Sequence, residues 1–115
     1  MKLTYKIFFA LTLLVLLQSF QIIKTTMHLT VRDEVGNTVE GATVQLFETE
    51  EDYTAEKNVA VEGTTDAKGI LKLKDIKAIS YFVIVRKEDK DNSGGGERTG
   101  KLEGKRINKV TIVIQ

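Results

Sequence analysis

The chain has 115 residues, of which 42% are hydrophobic and 29% charged, with a formal net charge of +1. It contains no cysteine, proline or tryptophan and a single histidine, His28. That length allows one domain, and the missing side chains exclude a disulfide framework, a thiolate zinc site, a cysteine nucleophile and polyproline segments.

Residues 1–21 differ in kind from the rest. Lys2 and Lys6 make a basic start, Ile7 to Leu17 is an apolar run broken only by Thr12, and Gln18 and Ser19 follow. This order describes a secretory signal peptide: the apolar run partitions into the bilayer while the lysines stay on the cytoplasmic side. Leu17 stands where a small residue is expected before cleavage, so the alternative is an uncleaved anchor. The uncharged stretch from Ile7 to Ile23 is short for a spanning helix, which wants about 20 mainly apolar residues. Setting aside residues 1–21, with Lys2 and Lys6, leaves fifteen basic against sixteen acidic residues, so the remaining chain is near neutral. A nucleic-acid partner, which needs clustered Lys and Arg, is not expected. The sequence ends inside an apolar alternating segment, so no C-terminal sorting segment is expected either.

From His28 onward the chain reads as short strands between turns. Leu29 and Val31 alternate with His28, Thr30 and Arg32; the segment 33–37, Asp-Glu-Val-Gly-Asn, is turn chemistry. Gly41 leads into Ala42, Val44 and Leu46, alternating with Thr43 and Gln45, and Phe47 breaks the pattern. Residues 48–58 form an acidic insertion containing Tyr53. Residues 59–64 read as a strand, and 66–69 as a tight turn with Gly69 free to take positive φ. Leu71 and Leu73 alternate with Lys72 and Lys74. Residues 81–85 are apolar on both faces, as in a strand covered on each side or one lying against a partner. Residues 88–105 read as the longest loop, and 107–114 as the last strand. No helix, heptad or internal repeat is expected in residues 26–115.

The ordered set Leu29-Thr30-Val31-x-Asp33-x-x-Gly36-x-x-Val39-x-Gly41-Ala42-x-Val44-x-Leu46, then Gly63-Thr64-Thr65-Asp66-x-x-Gly69 with Leu71 and Leu73, then Tyr81-x-Val83-x-Val85, resembles a carboxypeptidase regulatory-like domain of the prealbumin-like (transthyretin-like) type. The overall style is similar to small secreted proteins of Bacteroidetes-type bacteria. The resemblance implies an all-β, seven-stranded Greek-key β-sandwich, preceded here by the signal peptide. It also implies a secreted, periplasmic or cell-surface module that is structural, adhesive or binding, and not an enzyme. Related collagen-binding B-type domains use a first-strand lysine for an isopeptide bond; Val31 stands there, so no crosslink is expected. Transthyretin-related hydrolases need several histidines and a Tyr-Arg-Gly-Ser end, which this chain lacks.

Several constellations could carry chemistry. Asp89, Asp91, Ser93 and Glu97, with Gly94, place oxygen ligands at positions 1, 3, 5 and 9 of a calcium-loop pattern; calcium is the one candidate cofactor. Position 12, where a bidentate Glu belongs, is Gly100, and the bland alternative is a solvated loop. Tyr53 is the candidate ligand-binding aromatic for a sugar ring. His28, Ser80 and an Asp could be imagined as a triad, but no nucleophile-elbow Gly-x-Ser-x-Gly occurs and a lone His on a polar strand face reads as solvent-exposed. Phe82, Ile84 and Val113 lie opposite the predicted core, so they mark a self-association patch unless the 48–58 segment covers them. The partner expected is a protein or glycan at the cell surface, with membrane contact only through an uncleaved N-terminus.

Overall fold

The computed structural model describes residues 23–94 and 96–115. The signal-peptide reading of residues 1–21 lies outside them. Among the described residues eight strands and one helix follow in order: β1 (Thr26–Asp33), β2 (Thr43–Phe47), α1 (Glu50–Ala55), β3 (Val61–Thr64), β4 (Ile70–Lys74), β5 (Ser80–Lys87), β6 (Lys90–Asp91), β7 (Arg98–Lys101) and β8 (Ile107–Ile114).

The strands form two sheets, one ordered β4-β1-β8 and the other β3-β2-β5-β6, with β7 also on β5. The alternation explains the layers. Met27, Leu29 and Val31 of β1 point inward to meet Val44 and Leu46 of β2, Val83 and Val85 of β5, and Ile112 and Ile114 of β8. Tyr81 joins them in the core, and its hydroxyl donates to the Lys77 carbonyl at 3.1 Å. In chain order, the antiparallel β1–β4 pair encloses the β2–β3 pair of the other sheet. β1 and β8, in contrast, run parallel over eight paired residues, from Thr26↔Ile107 to Asp33↔Ile114. The polypeptide therefore enters the sandwich at one pole and leaves it at the other.

Side chains fix the connections. Asp66 Oδ1 accepts from the amides of Lys68 and Ile70, closing the β3–β4 turn. Gly69 completes it at φ +74°, where a Cβ would sit 2.9 Å from the Val39 amide nitrogen. Thr65 is buried; its hydroxyl accepts from Ala42 N–H at 2.9 Å and donates to the Val39 carbonyl at 2.7 Å, tying the entry of β2 to the turn. Gly41 is required for its φ of +74°, because a Cβ there would meet only the Lys87 amine.

Three expectations are corrected. The sandwich has eight strands, not seven, because the segment read as one long loop folds back twice on β5 as β6 and β7. The acidic insertion contains a helix. Thr49 caps it by accepting from Asp52 N–H, and Glu50, Glu51 and Asp52 fill the first turn, where acidic side chains favour the positive end of the backbone dipole. Phe82, Ile84 and Val113 do not form one patch. Phe82 and Ile84 lie on the outer face of the five-stranded sheet, against which α1 packs, whereas Val113 lies on the other sheet.

Candidate functional site

The outer face of the five-stranded sheet is built around Phe47 and Phe82, which pair directly across β2 and β5. Tyr53 of α1 lies over both, its ring 6.1 Å from that of Phe47 and 5.5 Å from that of Phe82. The Arg98 guanidinium stands 4.5 Å from the centre of the Phe82 ring. Phe47, which broke the hydrophobic pattern, is thus an outward side chain buried by a helix.

The loop candidates are distributed around this cluster. Asp89 is exposed in the turn between β5 and β6. Asp91 accepts from both the amide and the hydroxyl of Ser93, which hold its carboxyl below the usual range. Glu97 accepts from the Tyr53 hydroxyl at 3.3 Å. The structure brings Asp91 and Ser93 together, Glu97 to Tyr53, and leaves Asp89 at the tip. Among the described residues, no group of three or more His, Cys, Asp or Glu side chains converges as metal ligands do. Burial, and then the Glu97 carboxylate, push the Tyr53 phenol up.

Asn92, between these candidates, was not legible as a key residue. It is buried, and it stands in for a strand. Its Oδ1 accepts from Val85 N–H at 3.0 Å, and its Nδ2 donates to the carbonyls of Val83 at 2.9 Å and Gly96 at 3.0 Å. β7 pairs with the start of β5 and β6 with its end; Asn92 satisfies the backbone between them. An Asn amide is the side chain that supplies both a donor and an acceptor there.

Between α1 and the β6 turn lies a groove of about 260 Å³, lined by Tyr53, Glu56, Ile84, Arg86, Asp91 and Asn92 among others. Arg86 and Glu56 close to 2.6 Å across it; the guanidinium holds the Glu56 carboxyl below its ordinary value. Among the described residues every buried side-chain polar atom has a partner, so no unpaired group points into the groove from beneath.

The outer face of the three-stranded sheet is different. Register places Lys72, His28 and Lys109 in one row across β4, β1 and β8, flanked by Lys74, Thr26 and Ile107. Arg32 and Val113 extend it. Burial, then Lys72, Lys109 and Lys74, hold the His28 imidazole below its ordinary value. His28 thus belongs to a basic row and not to a triad with Ser80, which lies on β5 in the other sheet.

These layers define a two-sheet, mostly-β sandwich of the kind found in a pilin subunit. No family model matches the chain, and no curated protein does. Among solved structures the chain is similar to BcpA, the major pilin subunit of Bacillus cereus, with a TM-score of 0.55 and 20% identity over 80% of this chain. The match spans 30% of BcpA, so the chain corresponds to less than a third of that protein's length. At this identity the likeness is one of fold.

Proposed function

We propose that the chain is an exported, non-enzymatic structural module of the cell envelope or extracellular space, built on the prealbumin-like Greek-key plan that its sequence resembles. The observation that carries this reading is the parallel β1–β8 ladder. With entry and exit at opposite poles, tension along the polypeptide loads eight residue pairs side by side rather than one after another. The fold likeness to a pilin subunit supports a building-block role. The function is tested by protease treatment of intact cells carrying the tagged chain. Digestion without lysis is the expected outcome for a surface module, and protection until the cytoplasm is opened contradicts export.

The alternative is a ligand-binding module for a sugar or calcium. The groove beside Tyr53 gives it a place, but that ring is already packed on Phe47 and Phe82. A rise in melting temperature on adding calcium, lost in Asp91→Asn, would turn the reading toward it.

A further inference from the structure

The outer face of the three-stranded sheet is basic, and the α1 segment that packs on the opposite face is acidic. On the three-stranded sheet the outward positions of β1, β4 and β8 hold Arg32, Lys72, Lys74, Lys109 and His28, and no acidic residue. Lys72, Lys74 and Lys109 are exposed and make no ion pair among the described residues. Across the sandwich, residues 48–62 hold Glu48, Glu50, Glu51, Asp52, Glu56 and Glu62 against Lys57, and Arg86 and Arg98 share that outer face. Lys77 pairs with Glu48 and Arg86 with Glu56, while Glu50 and Glu51 make no ion pair among the described residues. The two sheets separate these faces, so they cannot neutralise one another within one molecule. Residues 26–115 are also nearly neutral overall, so little net repulsion opposes approach of a second copy.

We propose that the basic face of the three-stranded sheet docks the acidic α1 face of a second copy of this chain, so that copies stack side by side. This rests on the structural reading for its setting and adds a partner to it. The contact joins two different surfaces, so it propagates rather than closing as a dimer. The eight-residue β1 and β8 rise about 26 Å, the five-residue β4 about 16 Å, and the three strands together span about 14 Å. That face is roughly 350 Å², less than half the roughly 800 Å² per partner of a stable complex. The single contact is therefore weak and salt-sensitive, and it acts through many copies held close together. Ile107 and Val113, each about half exposed, give the face apolar edges.

The test is small-angle scattering of the purified protein against concentration, at about 0.02 M and about 0.5 M salt. Attraction at low salt and its loss at high salt are expected. Lys72→Glu/Lys109→Glu and Glu50→Lys/Glu51→Lys each abolish it alone, and mixing the two variants restores it. Circular dichroism confirms that both fold. The lone histidine reports on the contact: association brings carboxylates to the basic row, so the His28 proton resonance titrates at higher pH in concentrated, low-salt samples. No attraction at low salt, attraction that survives either variant, or no recovery on mixing overturns the proposal. So does heparin binding that shifts His28 without self-association, which would assign the face to an anionic polymer. A monomer that is nevertheless digested on intact cells leaves the structural reading standing.

Discussion

At the scale of single residues, two buried polar side chains hold together backbone that the strands leave unpaired. Thr65 joins Val39 to Ala42, and Asn92 joins Val83, Val85 and Gly96. Removing either strands buried amides and carbonyls. Thr65→Val and Asn92→Leu are each expected to cost about 1–3 kcal/mol in chemical denaturation. Acid is expected to destabilise the fold. Asp66, through the amides of Ile70 and Lys68, Asp91, through Ser93, and Glu56, through Arg86, are held below their ordinary values. The unfolded chain therefore takes up protons before the native state does, and stability is lost as pH falls through the native values. His28, also lowered, begins the loss earlier, as pH drops below the ordinary imidazole range. Melting curves against pH should flatten in the acid range for Asp66→Asn and near neutrality for His28→Gln. Identical profiles in variants and wild type would contradict these assignments.

At the scale of elements, strands with one wet face were legible and elements defined by long-range contact were not. The alternation of Leu29 with Val31, of Val44 with Leu46, and of Val110, Ile112 and Ile114 gave β1, β2 and β8. Residues 81–85, apolar on both faces, gave β5 and left open whether its outside meets a cover or a partner. The cover itself was hidden, because six helical residues are too few to show a 3.6-residue period. Its signal was local: Thr49 three residues before Asp52, with three acids in the first turn. β6 and β7 were hidden because strands of two and four residues without a large apolar side chain carry no alternation. The calcium-like spacing of Asp89, Asp91, Ser93 and Glu97 was visible, but the Asn92 that organises the segment was masked by its neighbours. Tyr53→Ala is expected to uncover Phe47 and Phe82, to cost about 2 kcal/mol and to raise binding of a hydrophobic dye. An unchanged melting temperature and no dye binding would show that α1 is not a cover.

At the scale of the whole molecule, the resemblance in sequence anticipated a sandwich, and the structure adds the direction of its end strands. Parallel β1 and β8 put Thr26 and Ile114 at opposite poles, and the proposed structural role depends on this geometry. Because the chain has no cysteine, force can be applied at chosen points through introduced ones. Lys24→Cys with Gln115→Cys pulls the ladder in shear, loading its hydrogen bonds together. Lys24→Cys with Arg106→Cys pulls at one end, where Thr26 N–H bonds the Arg106 carbonyl, and opens the same ladder bond by bond. In single-molecule pulling, the shear pair should unfold at a force several times that of the opening pair. Equal forces in the two geometries would contradict a load-bearing role.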